Sequence, residues 1–403
     1  KADFSDWMDA NGNDAQRFLA MAEAAKELPR EPSGHEFIAT PYKWRDPATI
    51  EPRSFLYGKH LIRKQVSVTV APGGVGKSTL LKTEALAMAS GRELLGETVA
   101  PDLKVWIYNL EDERIEMERR FVAAMQFHDI DSAEIEGRLF YDTGRERPLC
   151  TAVTLSNRVE IVQPEVQALE HEIKRRGIDV LVIDPFISSH QVPESDNGAI
   201  DLIVKEWVRL SDRCDCAIEL VHHTRKTYGQ EVTSEAGRGA VAMLAAARSG
   251  RALNKMQPQQ REDAGIVDDG CSYFSIDRDK ANLAPEGVRE WRKISPFTLA
   301  NGDSVGVCEK WEWPDAFSDI NLADALRCQQ AIEGKNLRFS DQAIDWVGVT
   351  ISNELGLDLA TSKKRLKKII RTWLGSGVLI KKQGMGPHRK MVPIVDVGEW
   401  INQ

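Results

Sequence analysis

Residues 71–79 read Ala-Pro-Gly-Gly-Val-Gly-Lys-Ser-Thr, and this stretch constrains the fold more than any other part of the 403-residue chain. It follows an apolar run over Gln65–Val70 and opens a helical pattern over Lys77–Ser90. A glycine-rich turn between a strand and a helix, as opposed to a chance glycine-rich turn, is the context of a phosphate-binding loop. Gly73, Gly74 and Gly76 permit tight backbone turns, so successive N–H groups can point at phosphate oxygens. The helix start adds a field that favours the anion. The expected nucleotide-binding set is therefore Gly73, Gly74, Val75, Gly76, Lys77, Ser78 and Thr79, with ATP and Mg2+ as ligands. Lys77 would reach the β- and γ-phosphates and Ser78 would ligate magnesium. Ala71 stands where such loops usually begin with glycine.

The residues around the loop set the fold class. Short β-rich runs at Leu103–Asn109, Asp179–Ile183 and Ala217–Val221 alternate with helical patterns at Asp112–Gln126, Glu165–Arg176 and Ala199–Ser211. That alternation predicts an α/β fold with a mainly parallel twisted sheet and ligands at the strand C-terminal ends. Further strands are expected at Ser249–Asn254 and Cys271–Arg278. Beyond about Ser318 the pattern becomes helical and closes on a hairpin, Val378–Lys382 and Lys390–Val395, around Gly384 and Gly386. Helix, helix, basic helix and hairpin is the order of a winged helix. The expected domains are 1–50, a helical lead-in and Pro-rich linker; 51–318, the α/β core; and 319–403, the winged helix.

Three strand ends carry candidate chemistry. Val180-Leu181-Val182-Ile183-Asp184 is an apolar strand ending in one acid, which suits the magnesium side of the site. Pro185 follows it, so the catalytic base does not sit beside Asp184, and this disfavours the AAA+ arrangement. Glu111-Asp112 closes the Val105–Leu110 run; Glu111 is the candidate base that orients the attacking water, with Asp112 as a helix cap. His222-His223 ends a third strand and could sense the γ-phosphate; as packed histidines they would have no such role. Residues 237–248 form a small-residue helix ending in Arg248, either a packed core helix with a solvated arginine or a donor of an arginine finger to a neighbouring subunit.

The ordered set Ala71–Thr79, Glu111-Asp112, Asp184-Pro185, His222-His223 with Lys226, Arg238-Gly239, Arg248 and Lys280-Ala281-Asn282 resembles the RecA-like hexameric helicases, in particular the plasmid RepA-type ATPases and their phage and prophage relatives. The resemblance covers about residues 54–285. It implies a RecA-like core in a homo-oligomeric, commonly hexameric ring acting on single-stranded DNA. It further implies that Lys77, Ser78, Glu111 and Asp184 act in cis, and that His223 couples to the γ-phosphate. Arg248 would be the finger from the next protomer, with Lys280 near that interface. Loops at about Ser188–Gly198 and Lys226–Ala236 would face the channel.

The ends of the chain add two expectations. Asp3-Phe4-Ser5-Asp6-Trp7 resembles the segment closing a Toprim primase domain in primase–helicase fusions, which implies an upstream primase domain or primase partner; the alternative is an ordinary helix start. Net charge is −8, yet Ala360–Val395 holds ten Lys or Arg and no acid, which points this segment at a polyanion. In Thr361–Leu374, Leu366, Ile369, Ile370 and Trp373 share one face, opposite Lys364, Lys367, Lys368 and Arg371 with Lys363 and Arg365 at the flanks. Together with the hairpin residues Lys381, Lys382, Arg389 and Lys390 they are candidate DNA contacts. The alternative is a charged, solvated face used for protein contact. Six scattered cysteines without a C-x-x-C pair fit reduced thiols in a cytoplasm, and no apolar run is long enough to span a membrane. The expected activity is an ATP-hydrolysing DNA helicase or translocase; the alternative is a DNA-binding ATPase that switches, loads or regulates without unwinding.

Overall fold

The computed structural model describes residue 16 and residues 38–155, 158–224, 231–235, 240–285, 287–385 and 390–401. The chain forms two compact units, Lys1–Pro52 and Arg53–Gln403. Of the first, residues 38–52 are described; they are exposed and carry one 3-10 turn, Pro47–Thr49, capped by Asp46. Asp3–Trp7, Lys226, Arg238, Gly239, Gly386 and Arg389 lie outside the described residues.

In the second unit, β1 (Phe55–Tyr57) and β2 (Leu61–Ile62) form a small antiparallel pair that leads into β3 (Val66–Pro72). Then follow α1 (Lys77–Ser90), β4 (Val105–Asn109), α2 (Arg114–Phe127), α3 (Ser132–Ile135) and β5 (Leu139–Thr143). A hairpin of β6 (Ala152–Leu155) and β7 (Arg158–Ile161) precedes α4 (Gln163–Arg176), β8 (Val180–Asp184), α5 (Asn197–Cys214) and β9 (Ala217–Thr224). Next come α6 (Ala240–Ala246), β10 (Ser249–Lys255), α7 (Pro258–Asp263), β11 (Ser272–Ala281), β12 (Glu290–Thr298) and β13 (Ser304–Trp311).

These strands build a nine-stranded sheet in the order β13-β12-β11-β10-β3-β9-β8-β4-β5. Strands β10 through β5 in that order pair parallel, and β11, β12 and β13 add on antiparallel. The sheet order explains the site. The strand before the phosphate loop and the strand ending in Asp184 are separated by β9, so three strand ends converge on one place.

The strands read as near-continuous apolar runs because both sheet faces are covered. On one face Val66, Val68 and Val70 pack with Ile200, Ile203 and Trp207 of α5. On the other, Val105, Ile107, Val180 and Val182 pack with Leu81, Ala85 and Met88 of α1 and Met117 and Phe121 of α2. Each large apolar side chain so buried contributes about 1.5–3 kcal/mol. Helix α1 is buried on nearly every side, which its Leu- and Ala-rich sequence allows, and it ends at Gly91 in the left-handed region.

The C-terminal segment has its own core. It runs α8 (Leu322–Ile332), β14 (Leu337–Arg338), α9 (Val347–Leu355), α10 (Leu359–Gly375), β15 (Leu379–Met385) and β16 (Met391–Val397), with sheet order β14-β16-β15. Leu366, Ile369, Ile370 and Trp373 of α10 face Cys328, Ile332, Val347, Ile351 and Val395. The expected junction near residue 318 lies inside the second compact unit. No helix among the described residues is long and apolar enough to cross a membrane.

Candidate functional site

The phosphate loop joins β3 to α1, and its backbone has the shape that the glycines anticipate. Gly74 and Gly76 sit at φ 76° and 111°, in the left-handed region, and Gly76 caps α1. A Cβ on Gly76 would meet Ile294 Cδ1 of β12 at 2.1 Å, so any side chain at 76 would also have to displace the tip of Ile294. Ala71 is fully buried and pairs with His223 across β3 and β9, leaving no need for glycine there.

Four elements bring the predicted cis residues together. Lys77 and Asp184 are both buried, with Nζ 3.0 Å from Oδ1. Ser78 Oγ donates to Asp184 Oδ2 at 2.9 Å. His223, from the end of β9, has Nε2 2.6 Å from Lys77 Nζ and 3.9 Å from Glu111 Oε2. Burial lowers the Lys77 ammonium from its ordinary value, against the pull of Asp184. Burial and then the neighbouring Lys77 charge hold His223 below its ordinary value, so it favours the neutral form that accepts from Lys77. His222 points elsewhere: it is buried, with Nδ1 3.6 Å from Glu194 Oε1. The two histidines have different surroundings because successive side chains on a strand face opposite sides.

The corner after β4 is fixed by a residue that motif reading missed. Asn109 Oδ1 accepts from the N–H groups of Glu111 (3.0 Å) and Asp112 (2.6 Å). Arg145 Nε donates to Glu111 O at 2.9 Å. This leaves the Glu111 carboxylate half-exposed and facing His223. Asp112 is not the cap of α2. The cap falls one residue later, at Glu113, and Asp112 is drawn inward by Arg120 (3.2 Å) and Lys82 (3.8 Å). Lys82, one turn after Ser78 on α1, is buried; burial, aided by Arg120, lowers its ammonium to about 8.

A cavity of about 810 Å3 opens over the loop. Gly74, Gly76, Lys77, Ser78 and Thr79 line one side. Glu116, Arg119 and Arg120 of α2 and Asp303–Gly306 at the β12–β13 turn line the other, joined by an Arg119–Asp303 ion pair of 3.0 Å. Beneath the loop, Arg251 of β10 donates to Glu84 of α1 at 2.6 and 2.7 Å and to Thr69 at 2.7 Å, all buried. Neither the hairpin wall nor this pair has a sequence motif.

The donor set fits a nucleoside triphosphate with a divalent cation. The loop offers turned backbone and one lysine for phosphate oxygens, and the Ser78 hydroxyl and Asp184 carboxylate suit a hard, oxygen-binding cation. Lys77 holds the position opposite Asp184 where positive charge is wanted.

Two predicted residues lie elsewhere. Arg248 precedes β10 and is exposed; its N–H bonds Val66 O at the start of β3 (3.0 Å), whereas the loop leaves the far end of that strand. A seven-residue strand separates them by about 20 Å. The helix expected to end in Arg248 is α6, which stops at Ala246. Lys280 stands on β11 beside Gly250, at that same end of the sheet, and its ammonium donates to Leu244 O. Of the basic C-terminal residues, Lys363 and Lys367 pair with Asp341, Lys364 with Glu262 and Asp263, and Lys382 with Asp396. Lys368, Arg371 and Lys390 are exposed and, with Lys381, have no ion pair among the described residues.

Residues 29–229 match the family model described as an AAA domain. The chain therefore carries a nucleotide-hydrolysing P-loop ATPase domain, of a kind that generally binds ATP with Mg2+. The acid facing His223 comes from the segment that leaves β4, not from the residue after Asp184.

Proposed function

We propose that this ATPase is a ring-forming DNA helicase or translocase of a phage or mobile-element replication module. The observation that carries the reading is the position of Arg248, exposed at the end of the sheet opposite the phosphate loop and about 20 Å from it. An arginine so placed cannot serve its own site and suits a neighbour's, with Lys280 beside it. In this reading Lys77 steadies the β- and γ-phosphates, Ser78 and Asp184 hold magnesium, and Glu111 orients the attacking water. His223 reports on the γ-phosphate through Lys77 and Glu111, and passes its state to the loop after β9. The loops at 188–198 and 226–236 meet single-stranded DNA, and the C-terminal winged helix supplies a basic surface.

The test is ATP hydrolysis with and without single-stranded DNA, together with unwinding of a forked duplex. The expected result is stimulation and ATP-dependent unwinding. Stimulation without unwinding favours a switch or loader. No stimulation removes both DNA readings and leaves the ATPase.

A further inference from the structure

We infer that the basic row of α10 is divided between two partners: its first half is held by the chain's own carboxylates, and its second half, with β15, is the contact for a nucleic-acid phosphate backbone. The inference rests on the DNA reading above and assigns that binding to particular cations.

The division is visible in the ion pairs. Lys363 and Lys367 converge on Asp341 at 3.2 and 2.6 Å. Arg365 donates to Ala316 O at 3.0 Å and pairs with Asp319. Lys364 reaches Glu262 at 2.7 Å and Asp263 at 3.3 Å, both on α7 of the ATPase core. The first half of the row thus fastens α10 to neighbouring segments.

One turn on, the pattern stops. Lys368 and Arg371, three residues apart on one face, are exposed and meet no carboxylate among the described residues. Beside them a cleft of about 600 Å3 opens between the end of α10 and β15, lined by Phe339, Arg371, Leu374 and Lys381. The Lys381 ammonium rests 3.6 Å from the Phe339 ring centroid, an aromatic face in place of an anion. Lys390 lies across the hairpin, exposed.

A chain of net charge −8 that neutralises one half of a basic helix and leaves the other half bare presents a local field for a polyanion. Lys368, Arg371, Lys381 and Lys390 are four cations with no base-reading partner set around them, which suits phosphates more than base edges.

The experiment is binding of the full-length chain to labelled single-stranded and duplex DNA across a salt series. The variants are Arg371→Gln/Lys381→Gln and, as the contrast, Lys363→Gln/Lys367→Gln; unfolding midpoints check that each is folded. For the first pair the affinity should fall more than about tenfold, and the slope of log affinity against log salt should lose about 2. The second pair should bind within about twofold of wild type, since those ammonium groups already have partners. If wild type binds and both pairs weaken it equally, or the second alone does, the division is wrong while the DNA reading stands. If neither pair matters, the bare cations serve another polyanion, such as an acidic protein, and the inference is overturned. Wild type that binds no DNA while hydrolysing ATP overturns the DNA reading as well.

Discussion

Replacing Lys82 by methionine should stabilise the nucleotide-free protein, and the gain should vanish at high pH. The ammonium is buried on α1, with Asp112 at 3.8 Å and the Arg120 guanidinium also on that carboxylate. Its fall from 10.5 to about 8 corresponds to roughly 3 kcal/mol against the charged form. Methionine keeps the apolar stem, and Arg120 at 3.2 Å still pairs Asp112, so no carboxylate is stranded. That net figure already contains the attraction to Asp184 and Asp112, so the expected gain near neutral pH is about 1–3 kcal/mol. The sign with pH follows from proton binding. Below about pH 8 the lysine is charged in folded and unfolded chains alike and the penalty is complete. From there to about 10.5 the unfolded chain binds more protons than the folded one, so wild type gains on the variant as pH rises. Urea unfolding of both proteins at about pH 7 and about pH 10 reads the gap directly. A variant less stable than wild type at neutral pH, or a gap that does not narrow, refutes the reasoning.

Two further outcomes follow from the site and its support. Glu111→Gln should keep ATP binding and lose turnover by about 10²–10⁴-fold, read by nucleotide titration beside single-turnover hydrolysis; unchanged turnover would remove Glu111 as the base. Arg251→Met strands the buried Glu84 carboxylate and should cost about 3–5 kcal/mol in denaturant unfolding, whereas Glu84→Leu/Arg251→Met should recover most of it. Equal losses in the single and double variants would place the damage elsewhere.

How much of this was legible in the sequence depends on whether a residue's role is local. The phosphate loop, α1 and the strand ending in Asp184 were readable because each is set by neighbours along the chain: apolar runs, glycines, a helix start. The extent of α1 matches its pattern to the residue. Strands β12 and β13 were missed because they alternate charged, aromatic and apolar residues, as in Glu290-Trp291-Arg292-Lys293-Ile294, and their partners lie across the sheet. Lys82 and Arg251 were missed for a related reason: each acts on a residue brought near by folding, and a lysine in a helix has no signature of its own. Asn109 acts locally, on the N–H groups two and three residues on, as asparagine commonly does at turns. The basic row on α10 was legible as a row, but its pairing with Asp341, Glu262 and Asp263 was not, since those acids are distant in sequence.

The sheet order also sets where the ATPase domain can be divided. The segment 29–229 stops before β10, yet β10 is the parallel neighbour of β3, the strand that ends in the phosphate loop. Severed there, β3 becomes an outer strand whose backbone groups facing Ser249–Ala252 lose their partners and offer a template for association with other chains. Val75 and Leu80 at the loop would lose Leu253, Phe274 and Ile276, which cover them in the intact chain. The stretch that a family pattern picks out is therefore shorter than the stretch that folds, and the antiparallel strands beyond it belong to the cooperative unit that holds the loop in shape.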